Sequence, residues 1–184
     1  MFAVGNHCKI SMKKLMVTTL LASCLITCCQ ASNIIDSLFR NSYKVFELQR
    51  LSNGMYRDSK LFTGSDYHPI SIANTGMGLI SLCIADSMKW ELNARTLALN
   101  TLKTATGHNP PFTPDRTCNG FYRHFLDTVT GSQAWSSEYS TIDTDILMCG
   151  ALFCMKYFED DSITKYVLEL WNSIDFEASI DSAA

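Results

Sequence analysis

Between Asn119 and Met148 the sequence N-G-F-Y-R-H-F-L-D-T-V-T-G-S-Q-A-W-S-S-E-Y-S-T-I-D-T-D-I-L-M gathers aromatics, a histidine and several carboxylates into one local unit. Glu138 is the residue there best suited to act as an acid. Trp135 and Tyr139 stand beside it, and aromatic neighbours that desolvate a carboxyl raise its pKa. The competing reading is an exposed residue ahead of a helix cap. Asp143 has two readings as well: a second functional carboxylate, or the fourth position of the capping box Ser140-Thr141-Ile142-Asp143, reaching back to the cap's backbone N–H. Asp127 sits just before Thr130-Gly131-Ser132, where it either faces a ligand or caps the turn. Tyr122, His124 and Trp135 offer aromatic faces and an imidazole donor, with core packing as the alternative. Arg57 and Asp58 form a further polar pair, able to grip a ligand or to bridge each other at the surface.

These residues need elements to hold them. Phe121 to Leu126 alternates in the period of a strand, and the turn through Thr130 to Ser132 sends the chain back as a short hairpin. Ser140 then caps a helix over about 141–158, ended by Glu159-Asp160-Asp161. Earlier, apolar residues at helical spacing mark a first helix over 34–51. A second runs from a cap at Asn74 or Thr75 to about Met88, and a third covers 93–105 and stops at Gly107. A fifth covers about 162–174. Residues 53–70 and 108–118 are loops, the latter because of Pro110, Pro111 and Pro114. The pattern is all-α: about five helices plus a short β-hairpin. The second and fourth helices are apolar nearly all round, which places them inside, while the third and fifth are amphipathic and lie outside.

F-Y-R-H-F-L-D at 121–127, then T-G, then W-S-S-E-Y-S-T-I-D-T-D-I-L-M-C-G-A-L-F at 135–153, resembles the glucoamylase-like family of bacterial glycoside hydrolases, which is related to endo-β-1,2-glucanases. N-G-M-Y-R-D at 53–58, S-I-A-N-T-G-M-G-L-I-S-L-C-I-A-D at 71–86 and L-W-N-S-I-D-F at 170–176 are similar to further motifs of that family, in its order. The resemblance implies a partial α/α toroid, incomplete beside a full barrel of about six helical hairpins. It also implies hydrolysis of β-linked glucan, β-1,2-glucan among them, by a carboxylate acid and base. Glu138 would be the acid, with Arg57, Asp58, Tyr122, His124, Asp127, Trp135 and Asp143 binding substrate. Its base would lie in the missing C-terminal half, so the chain alone is expected to be inactive. The alternative is a non-catalytic glycan-binding or remnant lipoprotein.

Met12-Lys13-Lys14 followed by an apolar run over 15–23 reads as a secretory leader, with Met12 as the true start. Leu21-Ala22-Ser23-Cys24 resembles a lipobox, which makes Cys24 the lipidated residue; the rival is cleavage after Ala31 with no anchor. Residues 1–31 are thus a leader and 32–184 one domain, with a periplasmic or cell-envelope location. Any membrane attachment would be through the lipid, because the apolar run is shorter than the ~20 residues a bilayer needs.

Formal net charge is −3, and the charges are interspersed without a basic stripe, which argues against nucleic acid. With no C-x-x-C or H-x-x-x-H, no metal site is expected, and no cofactor motif occurs; G-x-S-x-G is also missing. Cys83, Cys149 and Cys154 fall in apolar helical runs and read as buried thiols rather than a disulfide. Half a toroid leaves an apolar inner face, so self-association or a missing C-terminal half is the expected partner.

Overall fold

The structure is a computed structural model and describes residues 34–59 and 67–180. Helix α1 covers residues 34–49 and straddles two compact units, Met1–Ser42 and Tyr43–Ala184. Every other described element belongs to the second unit. These are strand β1 (Ile70–Ser71), helices α2 (Ile72–Ser87) and α3 (Ala94–Ala105), strand β2 (Phe125–Leu126), helices α4 (Thr141–Phe158) and α5 (Asp161–Asn172), and a 3-10 turn at Phe176–Ser179. The all-α expectation stands, and the arrangement is that of a partial toroid. Helices α2 and α4 pack on each other, α3 lies against α2, α5 lies against α4, and α3 meets α5.

The caps explain the boundaries. Ser140 Oγ accepts from the Asp143 N–H, starting α4 where the sequence predicts. Helix α2 starts earlier than predicted, because Ser71 and not Asn74 or Thr75 is its cap. Ser71 Oγ accepts from the Asn74 N–H, and Ser71 is held extended by its pairing with Phe125. Asp160 caps α5 by accepting from the N–H groups of Ser162 and Ile163. The turn after Asp127 does return the chain, through bridges of Leu126 to Gln133 and Arg123 to Tyr139. The same segment also pairs antiparallel with β1, far earlier in the chain.

Two glycines set the spacing of the inner pair. A Cβ on Gly76 would lie 2.6 Å from the Ile146 carbonyl carbon and 2.7 Å from Leu147 Cα, and one on Gly150 would meet the Gly76 backbone. Backbone therefore touches backbone there, and α2 and α4 run side by side in the same direction. Around this contact Leu79, Leu82, Leu102, Leu147, Ile163 and Leu170 are fully buried, each contributing about 1.5–3 kcal/mol by leaving water. Cys83 and Cys154 are buried as expected. Cys149 is exposed, a correction: it lies on the side of α4 that no described element covers.

Candidate functional site

Each inner helix begins in the same way, and the match is an internal repeat. Asn53-Gly54-Met55-Tyr56-Arg57 precedes α2, and Asn119-Gly120-Phe121-Tyr122-Arg123 precedes α4. The Tyr56 N–H donates to Thr75 Oγ1 and its carbonyl accepts from the Ser71 N–H. In the second copy the Tyr122 N–H donates to Thr144 Oγ1 and its carbonyl accepts from the Ser140 N–H. Gly54 and Gly120 both take left-handed backbone, φ 90° and 88°, and each presses on a neighbouring helix or its end too closely for a side chain. The threonine in each first turn also donates to the carbonyl of its cap residue, so each buried threonine hydroxyl is satisfied.

Against that shared frame the differences carry the chemistry. Where the first copy has Asp58 and Asn74, the second has His124 and Asp143. Asn74 Nδ2 donates to the Arg57 carbonyl and to Gln49 Oε1, holding the loop at 57–58 against the start of α2. In the second copy His124 Nδ1 meets Asp143 Oδ2 at 2.8 Å. A carboxylate there accepts from Nδ1–H, which fixes the ring and leaves Nε2 free on a side chain 36% exposed. The His124 backbone is fixed as well: its carbonyl accepts from the Ile72 N–H, and its N–H donates to the Glu138 carbonyl. One histidine thus joins the starts of α2 and α4 to the segment bearing Glu138.

Glu138 sits between two anchored neighbours. Arg123 Nη1 donates to the Ser137 carbonyl at 2.7 Å, and its guanidinium lies over the Tyr139 ring at 4.1 Å. Asp115 accepts from Arg123 Nε and from the Tyr139 hydroxyl. The hydrogen bond from Arg123 to Asp115 raises the guanidinium's already high pKa. Trp135 is 54% exposed with φ 52°, a backbone region that bulky residues rarely adopt. Its ring packs edge-on against Phe125, 5.0 Å between centroids. His124, Phe125, Trp135, Glu138 and Asp143 accordingly form one neighbourhood at the end of the inner helices.

Among solved structures the chain is similar to a "putative glucoamylase" from Bacteroides uniformis ATCC 8492. The match has a TM-score of 0.60 at 14% identity and covers 75% of this chain and 35% of that one. The fold is glucoamylase-like. The chain spans about a third of the length of that neighbour. No protein-family model matches the sequence, and no curated protein does.

Several sequence expectations change. Tyr122 is not a ligand-facing ring: it is fully buried, its hydroxyl donates to the Ala105 carbonyl at 2.6 Å, and burial pushes its pKa up to about 12. Its counterpart Tyr56 is buried too, with its ring against Gly78 of α2. Glu138 is not shielded by Trp135 and Tyr139; it is exposed, and its carboxylate has no hydrogen bond or ion pair within the described residues. Asp143 does not close the capping box, since the Ser140 N–H is taken by Tyr122 and the carboxylate turns to His124 instead.

Asp127 caps its turn. Its Oδ1 accepts from the N–H groups of Val129 and Thr130, and its Oδ2 accepts from the Tyr67 hydroxyl. Arg57 and Asp58 do not pair with each other, although Asn74 holds their backbone beside the start of α2. Sequence reasoning missed Asp115, Arg123, the role of Asn74 against the 57–58 loop and the N-G-x-Y-R repeat; aligning the two copies is the signal that would have pointed to Arg123 and Asn74. Within the described residues no helix is long and apolar enough to cross a membrane, and no cluster of metal-ligating side chains occurs. The leader residues, Met12 and Cys24 included, lie outside the described residues.

Proposed function

We propose that this chain carries the glycan-binding, acid-bearing part of a glycoside hydrolase acting on β-linked glucan, with β-1,2-glucan the first substrate to try. The observation behind this reading is the His124–Asp143 pair, which occupies the position where the equivalent first repeat has Asp58 and Asn74. It stands beside an open Glu138 and an exposed Trp135 in a glucoamylase-like fold. A tryptophan face stacks on the C–H face of a pyranose, a fixed imidazole offers Nε2 to a hydroxyl, and a carboxyl protonates the leaving oxygen. In this reading Glu138 is the acid and Arg57 and Asp58 reach a sugar from the neighbouring loop. Asp143, itself buried, orients His124. In this reading the chain alone turns over poorly. Secretion or lipid anchoring through Cys24 belongs to the same proposal and rests on the leader sequence.

One observation favours a second reading, a glycan-binding protein without catalysis. Glu138 is exposed, whereas a general acid works best when its surroundings hold the proton. Calorimetry with β-1,2-glucan oligosaccharides, followed by assay of released sugar, separates the two. Binding that Trp135→Ala and His124→Ala remove, with slow turnover that Glu138→Gln abolishes, is the expected result. Binding with no turnover favours the second reading. No binding of any β-glucan oligosaccharide sinks both.

A further inference from the structure

We propose that Cys83 on α2 and Cys154 on α4 form a disulfide cross-link that staples the two inner helices. Their sulfurs stand 3.4 Å apart across the α2–α4 contact, 71 positions apart in sequence, with both side chains buried. The spacing arises from the fold, because the backbone contact at Gly76, Ile146 and Gly150 sets the two helices close and parallel. Two thiols facing each other at van der Waals distance need only a small approach of the side chains to reach bonding distance. The other cysteines among the described residues, Cys118 and Cys149, are exposed and have no sulfur facing them. The inference stands apart from the glycan reading, since it concerns the C-terminal halves of the inner helices and not the end that bears His124.

The reaction balances with a low-molecular-weight disulfide such as oxidised glutathione as the oxidant. Cys83 is buried beneath an open groove of about 210 Å³ that it lines with Ile84, Ser87, Met88, Phe153 and Tyr157, so exchange begins there when a local opening exposes its sulfur. The Cys83 thiol loses its proton to solvent, and its sulfur attacks the glutathione disulfide. One glutathione thiolate leaves, and a mixed disulfide remains on Cys83. Contact with the Cys83 thiol, and then burial, push the Cys154 thiol well above its ordinary value. Cys154 then gives up its proton, attacks the Cys83 sulfur and expels the second glutathione. Two protein thiols are oxidised and one glutathione disulfide is reduced to two thiols.

The test uses the full chain, reduced with dithiothreitol, desalted, and equilibrated with oxidised glutathione. Alkylation under denaturing conditions and peptide mapping should find the peptides of Cys83 and Cys154 joined, with a mass about 2 Da below their sum. The thermal midpoint of the oxidised protein should exceed that of the reduced protein by roughly 10 °C, the scale expected when a loop of this length is closed. Cys83→Ala should abolish that difference. If the variant fails to fold, the peptide map of the wild-type protein still decides. Cys83 and Cys154 both alkylated after equilibration would overturn the proposal, as would a cross-link that leaves the midpoint unchanged.

Discussion

Replacing Gly76 by alanine tests the packing that brings the site together. In an exposed helix this substitution stabilises by up to about 1 kcal/mol, because alanine loses less backbone entropy on folding. Here the new methyl would lie 2.6 Å from the Ile146 carbonyl carbon and 2.7 Å from Leu147 Cα, where ordinary contact begins at 3.4 Å. The Ile146 carbonyl oxygen is nearer still, so helices α2 and α4 must separate by about 1 Å, and a gap of that size forfeits a quarter to a half of each dispersion contact it opens. Leu79, Leu147, Ala151 and Cys154 line that seam and are fully buried. Overpacking of this kind typically costs about 1–3 kcal/mol. With atoms of the rigid backbone as the obstacle, the upper end applies, and the helix-propensity gain offsets only part of it. The expected net loss is about 2 kcal/mol, a fall of roughly 5 °C in the midpoint for a chain of this size. Urea denaturation followed by circular dichroism measures it, with Gly107→Ala as the control: Gly107 has open space but φ 82°, so only backbone strain is felt there. A Gly76→Ala protein as stable as wild type would refute the close helix contact, and with it the geometry that places His124 between the two helix starts.

Two more predictions concern residues that changed role. Tyr122→Phe removes the hydroxyl that donates to the Ala105 carbonyl inside the core and should cost about 1–2 kcal/mol without changing glycan affinity; a loss of affinity at unchanged stability would restore Tyr122 to the binding surface. The Thr130 N–H, with other donors around it, lowers the Asp127 pKa to about 2 from its ordinary value of 3.8. A depressed folded-state pKa gives stability that is complete above the unfolded value and is lost as pH falls through the folded one. Asp127→Asn should therefore flatten the stability curve between about pH 4 and pH 2, and an unchanged curve would remove Asp127 from the turn.

What the sequence determined by itself is local. Helix starts and stops follow from residues within a turn of each boundary: Ser140 ahead of α4 and Gly107 after α3 are legible because capping and left-handed backbone are local chemistry. The apolar girth of α2 and α4 announced that both are inner helices. The repeated N-G-x-Y-R was also written in the sequence, yet its meaning appears only when both copies are seen to dock on a serine cap and a threonine one turn later. Tertiary structure decided the rest, because it depends on groups that lie far apart along the chain or that compete for one partner. The Ser140 N–H went to Tyr122, which released Asp143 to His124. Tyr122 turned inward because its hydroxyl could reach Ala105 in the neighbouring helix. Glu138 was left open to solvent because the rings expected to cover it had other partners, Trp135 packing on Phe125 and Tyr139 held by Arg123 and Asp115. Spacing along the chain names the candidates, but the competition among donors, acceptors and close-packed backbones settles which of them meet.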